Sequence, residues 1–359
     1  MLKRLSNYFI PLFVFILVVA LLTSSGCGYP TKVVLGSSSA NGAKVYNLTI
    51  TKNGNIYKLT GKSDAPKDGE ITLTLSIKTA KGSEKKTFHL NVTGTKGAQL
   101  GSDLETTNLI KNVDLKSFVY EPYEFTAKDY PLDPGLKLVY YAEKQTNLSE
   151  SPQRFPVSFN LEGPWDFSGG PTEGEIVYTY VAPNETPQAA DFLGANTARK
   201  HDYGNGVVTF YIKKDTDSYQ VLGNANKTIL SEVSYITKYN PPRLTYKFPF
   251  KVGDTWQSVN DITYSGIGSG TGRLEENSKV ISRNRIKVPQ GEYSKCYLFQ
   301  SKIHEKDSDG TETTYIQYAW LVPGVGAVAY ITSVNGEQID AFTQASSFYR
   351  LKFKGTSKP

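Results

Sequence analysis

The sequence has few of the residues that most often carry out chemistry or bind metals, since its 359 residues include only two cysteines and three histidines. The histidines, His89, His201 and His304, are far apart and form no H-x-x-H pair, so no local pattern predicts a zinc site or a catalytic triad. The net charge is +6, and acidic and basic residues are interspersed along the sequence. The basic residues therefore do not form a stripe of the kind that contacts nucleic acid. We therefore predict no metal, no cofactor, no catalytic residue and no nucleic-acid partner.

The amino-terminal segment has the three-part layout of a secretory signal. A positively charged start at 1–4 is followed by an apolar stretch at 8–22 and by small residues that end at Gly26. The apolar stretch has about fifteen residues, fewer than the roughly twenty that a membrane-spanning helix needs. We therefore predict that residues 1–26 are a signal peptide that is removed by cleavage between Gly26 and Cys27.

The residues around this cleavage site, Ser25-Gly26-Cys27, resemble the lipobox of bacterial lipoproteins, although Ser24 stands where leucine is usual. The resemblance implies that Cys27 receives acyl chains and that signal peptidase II cuts in front of it. Because two or three acyl chains hold a protein stably in a bilayer, we expect an extracytoplasmic protein anchored to the cell membrane or to the outer membrane surface. The alternative is an ordinary secretory signal with an incidental cysteine.

Period-two alternation of apolar residues and frequent turn residues predict a mainly β protein with two domains and at most one or two short helices. The range 27–43 is rich in glycine and serine and is predicted to be a flexible tether. We predict a small antiparallel, immunoglobulin-like β-sandwich unit at 44–98 and a connector at 99–130. A larger β domain would occupy 131–353, followed by a frayed tail at 354–359.

The larger domain is predicted to form a twisted antiparallel sheet, an open half-barrel, because twelve runs rich in tyrosine, valine and isoleucine are separated by turn residues. These runs are 136–143, 157–161, 175–181, 207–212, 219–222, 244–250, 256–265, 272–282, 295–304, 311–320, 325–334 and 338–353. The range 183–199 is the best candidate for a helical or irregular excursion, and 227–238 is compatible with either helix or strand.

Three passages in this domain are more distinctive than its composition. They read F-P-x-x-V-G-D-x-W ending at Trp256, V-P-x-G-x-Y-x-x-C ending at Cys296, and W-x-x-P-G-V-G-x-V beginning at Trp320. They resemble a broad group of uncharacterised bacterial envelope lipoproteins, akin to the half-barrel sheets of lipoprotein-sorting proteins, over residues 131–350. The resemblance implies a fold in which Trp256 fills the concave core, and it implies no chemistry.

These features predict a non-catalytic binding or structural role for a lipid-anchored surface protein, with a hydrophobic molecule, a lipid or an envelope protein as partner. Trp165, Trp256 and Trp320 are the candidate contact residues, and Trp165 is expected to be the most exposed of them. Cys296 lies in a strand-like run and is predicted to be a buried small hydrophobe. A glycan- or protein-interaction module is the alternative function, and an exported hydrolase assembled from distant strands is less favoured.

Overall fold

The structure, a computed structural model, describes residues 32–53, 56–104, 109–142, 155–204, 206–228, 235–266, 268–337, 339–340 and 342–356. Gly26 and Cys27 lie outside these residues, and so does the predicted signal peptide. The chain divides between Glu124 and Phe125 into two compact units. None of the helices in the described ranges is long and apolar enough to span a membrane.

The amino-terminal unit contains seven antiparallel strands in two sheets, ordered β1-β2-β3-β6 and β5-β4-β7. The strands are β1 (Lys32–Ala40), β2 (Ala43–Asn53), β3 (Ile56–Asp64), β4 (Gly69–Thr79), β5 (Gly82–Val92), β6 (Ala98–Leu104) and β7 (Ile110–Pro122). Every second residue of β4, from Ile71 to Ile77, is fully buried in a core that both sheets share. Asn41 and Gly42 both have positive φ, as a tight two-residue hairpin between β1 and β2 requires.

Strands occupy part of two ranges whose sequence predicts a flexible or irregular segment. β1 lies within the range 27–43 that was predicted to be a flexible tether, and β6 and β7 fall largely within the predicted connector at 99–130. β1 pairs with β2, and β7 pairs with β4. Their short apolar alternation is weak in isolation, and it is the pairing with a neighbouring strand that satisfies their backbone groups.

The carboxyl-terminal unit contains fourteen strands in a single sheet. The strands are β8 (Leu136–Ala142), β9 (Phe155–Pro156), β10 (Trp165–Asp166), β11 (Gly174–Val181), β12 (Thr197–Asp202), β13 (Gly206–Lys214), β14 (Ser218–Thr228), β15 (Tyr235–Lys247), β16 (Thr255–Ser265), β17 (Gly270–Val288), β18 (Gly291–Asp307), β19 (Glu312–Val322), β20 (Gly326–Ser333) and β21 (Gln344–Thr356). Short 3-10 helices occur at Ala127–Asp129, Pro183–Glu185 and Ala189–Asp191.

This sheet closes on itself, so the predicted open half-barrel is wrong. Apart from the two-residue strands β9 and β10, each strand pairs with two neighbours, and the twelve strands β8 and β11 to β21 form a closed antiparallel barrel. The ring is completed between β8 and β21, where Tyr140 lies opposite Ile176 of β11 on one side and Leu351 of β21 on the other. Local alternation predicts strands but carries no signal for a pairing between residues about two hundred positions apart.

Part of the barrel wall is buried on both of its faces. In β19, Tyr315 and Gln317 face the inside of the barrel, whereas the ring of Trp320 on the other face is fully buried. Trp320 makes edge-to-face contacts with Phe159, Trp165 and Phe167, at centroid distances of 5.3, 6.0 and 4.8 Å. A segment that precedes β11 therefore covers the outer face of β19.

Arg350 holds this covering segment in place from β21. Its guanidinium is fully buried and donates hydrogen bonds to the backbone carbonyl oxygens of Phe167 and Ser168, each at 3.4 Å, and to that of Pro171. Burial lowers the pKa of Arg350. Carbonyl oxygens thus replace the water that this buried cation loses.

Candidate functional site

A cavity of about 250 Å³ lies inside the barrel. Its walls come from β11 to β15 on one side and from β19 to β21 on the other, so the cavity belongs to the interior of the ring. Nine tyrosines line it, namely Tyr130, Tyr178, Tyr203, Tyr219, Tyr239, Tyr246, Tyr315, Tyr330 and Tyr349. The remaining polar lining includes two arginines, one histidine, Gln317, Thr332 and Ser347, so the cavity is aromatic and polar rather than aliphatic.

The centre of β12 carries the two basic side chains that face this cavity from the same strand. Arg199 and His201 are two residues apart and therefore point to the same side of the sheet. Arg199 lies opposite Tyr180 of β11 and Phe210 of β13, and His201 lies opposite Tyr178. The register of these three strands thus surrounds the basic groups with aromatic rings.

Arg199 is stabilised by the rings around it. Its guanidinium carbon lies 5.2 Å from the ring centroid of Tyr178 and 5.4 Å from that of Phe210, within the range of cation–π attraction. Burial raises the pKa of the Tyr180 hydroxyl, and the positive charge of Arg199 opposes this shift. Among the described residues, no carboxylate forms an ion pair with Arg199, so its positive charge has no acidic counterpart in that part of the chain.

The second arginine of the cavity is neutralised. Arg243 Nε donates to Glu276 Oε2 at 2.7 Å, and the Glu276 side chain is only 1% exposed. Burial by itself would lower the pKa of Arg243, but the carboxylate of Glu276 more than offsets this and raises it. Two arginines line the cavity in the described ranges, and only the positive charge of Arg199 is not balanced by a carboxylate there.

Neither the histidine nor the tyrosines of the cavity balance this charge. Burial, reinforced by the nearby Arg199 cation, lowers the pKa of His201 well below its ordinary value, so its imidazole is neutral. Burial raises the pKa of Tyr178 and of Tyr246 well above the ordinary value, so these hydroxyls keep their protons. The interior of the barrel is consequently positive near Arg199 at neutral pH.

Three polar atoms around the cavity have no hydrogen-bond partner within the described ranges. They are Nε of Arg199, Nε2 of His201 and the hydroxyl oxygen of Tyr219. His201 is 5% exposed and Tyr219 is 1% exposed, so bulk solvent reaches neither side chain freely. Buried polar groups are nearly always satisfied, and these three can bond to a molecule held in the cavity.

Aromatic rings complete the site, and neighbouring tyrosine rings are tilted to one another by 46–67°. The rings of Tyr130, Tyr219 and Tyr246 are mutual neighbours, with centroid distances of 5.3 to 5.4 Å. The ring of His201 stacks on Tyr178 at a centroid distance of 3.6 Å. An aromatic ligand would gain contact area against this lining, with its ring face-on or edge-on to the tyrosine rings.

The three tryptophans singled out from the sequence do not line this cavity. Trp165 is 3% exposed and its indole nitrogen donates to the carbonyl oxygen of Asn160 at 2.7 Å, so the expectation that it is exposed is wrong. Trp320 is fully buried. Trp256 is half-buried and donates to the carbonyl oxygen of Thr245 at 3.1 Å. Its role as a contact residue stays a prediction, and the lipidation of Cys27 concerns a residue outside the described ranges.

Other residues considered from the sequence sit apart from the cavity. Cys296 is fully buried, as predicted, and burial raises its thiol pKa, which makes it a poor nucleophile. His89 and His304 are surface residues beside Glu70 and Glu312, at 3.2 and 3.6 Å. Within the described ranges, no group of three histidine, cysteine, aspartate or glutamate side chains has a metal-ligating arrangement.

The residues that line the cavity could hardly be predicted from the local sequence pattern. Arg199 ends the range 183–199, which was predicted to be an excursion, and β12 was missed as a strand. Tyr178 and Tyr180 are two residues apart, and so are Arg199 and His201. This spacing is the period of a strand, and it indicates that each pair lies on one face of its strand. Only the closed ring brings these pairs opposite Tyr330 and Tyr349.

Comparison with known proteins adds little to this picture. No protein-family model matches the chain, and no curated protein matches it. One solved structure, that of a provisionally assigned lipoprotein from Parabacteroides distasonis ATCC 8503, is 10% identical and covers 63% of this chain and 97% of its own, with a TM-score of 0.27. At this TM-score and identity, the likeness assigns neither a fold nor a function to the chain.

Proposed function

We propose that this chain is a lipid-anchored, non-catalytic binding protein of the bacterial cell envelope, and that it holds a small polar ligand inside its barrel. The observation that carries the proposal is the 250 Å³ cavity with the unpartnered atoms of Arg199, His201 and Tyr219. A concave site with aromatic walls and a few convergent polar groups is the usual form of a small-molecule site.

The chemistry of the lining supports binding rather than hydrolysis. The described residues that line the cavity include no aspartate, glutamate or lysine, and the histidine among them has a pKa well below the ordinary value. A general acid or base works best with a pKa near the operating pH. A buried neutral imidazole and buried neutral phenols are better suited to holding a ligand by hydrogen bonds.

The same lining argues against the hydrophobic ligand that the sequence first suggested. An acyl chain in the cavity would cover the guanidinium of Arg199 and the Tyr219 hydroxyl without offering them a hydrogen bond. Burying such groups unpaired costs several kcal/mol for a charge and about 1–3 kcal/mol for a hydroxyl. A ligand that carries its own polar groups avoids these costs.

Anchoring would act separately from binding. Acyl chains on Cys27 supply the membrane attachment by themselves, because each buried methylene contributes about 0.8 kcal/mol. The barrel then needs no membrane-binding surface of its own, and its interior is available for a ligand.

Native mass spectrometry of the mature protein, purified gently from its host membrane, tests both parts of the proposal. We expect an acyl mass on the peptide that begins at Cys27 and a small molecule that dissociates from the intact protein. A Cys27→Ala variant is the matched control, because it should lose the acyl mass and keep the small molecule. An unmodified Cys27 would refute anchoring, and a protein that binds nothing when challenged with small aromatic compounds would refute the binding role.

A further inference from the structure

We infer that the ligand of the barrel cavity is a small planar molecule with one carboxylate group, and that Arg199 binds this carboxylate. The inference rests on the proposed function and adds the chemical class of the ligand. It begins from the charge inside the ring, where Arg243 is paired with Glu276 and Arg199 has no acidic partner among the described residues.

The surroundings of Arg199 favour an incoming anion. The rings of Tyr178 and Phe210 attract the guanidinium, but rings and phenols carry no full negative charge to balance it. The Arg199 side chain is half-buried and its Nε atom is fully buried, yet no acid on the described strands pairs with it. A cation that is shielded from solvent in this way is stabilised by an anionic partner. An anionic ligand would neutralise the site as it binds.

The hydrogen-bonding atoms fit a carboxylate. Arg199 Nε and the Tyr219 hydroxyl both lack a partner in the described ranges and are both donors, while a carboxylate has two acceptor oxygens. Both side chains line the same cavity, from β12 and β14. Nε2 of His201 offers a further contact to a polar substituent of the ligand.

The charge of Arg199 and the volume of the cavity narrow the chemical class of the ligand further. Arg199 provides one uncompensated positive charge, which equals the charge of a carboxylate, whereas a phosphate monoester brings about −1.5 to −2 at neutral pH. A cavity of about 150 Å³ is enough for benzene in another protein, so 250 Å³ accommodates one ring with a carboxylate and a small substituent. The tyrosine rings of the lining would then contact that ring face-on or edge-on.

A matched pair of probes tests the inference. We would titrate the mature acylated protein, in detergent with detergent-only blanks, with 4-hydroxybenzoate and with 4-hydroxybenzamide by calorimetry. The two probes have nearly the same shape, and only the first is an anion. A charge-assisted hydrogen bond predicts that the carboxylate binds about 10- to 100-fold more tightly than the amide.

Two variants assign the effect to the cavity. Arg199→Met should remove the preference for the carboxylate. In the absence of probe it should unfold at no lower temperature than the wild type, because it removes a half-buried cation that has no acidic partner among the described residues. Tyr219→Phe removes only one hydroxyl and should weaken 4-hydroxybenzoate binding about 10-fold. Arg273→Gln is the control, because the Arg273 side chain is 58% exposed and does not line the cavity.

Each outcome bears on one of the two statements. Preferential binding of 4-hydroxybenzoate that disappears in Arg199→Met supports the inference. Equal binding of both probes, or a carboxylate preference that persists in Arg199→Met, overturns the inference and leaves the binding function standing. Binding of neither probe up to its solubility limit overturns both. If Arg199→Met does not fold, Tyr219→Phe decides between the same outcomes.

Discussion

The buried ion pair between Arg243 and Glu276 gives a direct test of how the interior of the barrel is stabilised. The two side chains are in contact at 2.7 Å, with exposures of 18% for Arg243 and 1% for Glu276. Glu276→Gln keeps the shape of the side chain and one acceptor oxygen, but it removes the negative charge. The guanidinium of Arg243 would then be a second cation in the cavity lining without an acidic partner among the described residues.

The size of the loss follows from this geometry. Removing one partner of a buried ion pair costs about 3–5 kcal/mol. The glutamine retains a neutral hydrogen bond worth about 1 kcal/mol, which leaves an expected loss of about 2–4 kcal/mol in the free energy of unfolding. With a urea dependence of about 3 kcal/mol per molar for a large domain, the midpoint of unfolding should fall by roughly 1 M.

Tryptophan emission during a urea titration measures this loss in the correct part of the chain. All three tryptophans, Trp165, Trp256 and Trp320, belong to the carboxyl-terminal unit. Glu275→Gln is the matched control, because this neighbouring side chain is 41% exposed and pairs with Arg273 at the surface. An exposed pair contributes less than about 1 kcal/mol, so the control should shift the midpoint little.

A Glu276→Gln variant that is no less stable than Glu275→Gln would refute the reasoning. The double variant Arg243→Met, Glu276→Leu provides a second check, because replacing both charges by apolar groups is often neutral or stabilising. It should therefore recover most of the stability that Glu276→Gln loses. If the double variant is as unstable as the single one, packing rather than charge is the cause.

Raising the pH from about 10 to about 12 should progressively unfold the barrel, because burial raises the pKa of Tyr315 and of Tyr318 from 10.0 to about 12. The stability that comes from the neutral hydroxyls is complete below pH 10 and is lost as the pH rises through the raised pKa, which tryptophan emission would record. Cys296 should resist alkylation in the folded protein and react only after denaturation, as judged by peptide mass mapping. Phe250→Ala should cost about 3–5 kcal/mol in urea unfolding, whereas Phe353→Ala, at an exposed site, should cost far less.

The strands of the barrel were largely predictable, because most of them are long and alternate clearly. The predicted runs at 175–181, 256–265 and 311–320 fall almost entirely on β11, β16 and β19. The run at 157–161 was predicted to be a strand because it alternates, but it belongs to the segment that covers Trp320. Its apolar residues pack against the outside of the barrel, and burial of this kind has the same local signature as a strand.

Closure and the cavity could not be predicted, because both depend on contacts between distant parts of the chain. An open sheet and a closed one have the same alternation of apolar residues within each strand. They differ only in whether β8 pairs with β21. The unpaired state of Arg199 is likewise invisible in sequence, where Asp202 is only three positions away. Strand register turns that aspartate to the opposite face, and the arginine is left with aromatic neighbours.

The seam between β8 and β21 also determines when the barrel can exist during synthesis. Each hairpin from β11 to β21 can form as soon as its two strands have emerged, since neighbours in the sheet are neighbours in the chain. Until residues 344–356 arrive, however, the product is an open ribbon whose first and last strands have unpaired backbone groups. Proteases and chaperones can act on the chain in that interval. A chain that stops within β21 should therefore be degraded or joined edge to edge with another copy, rather than persist as a slightly weakened barrel.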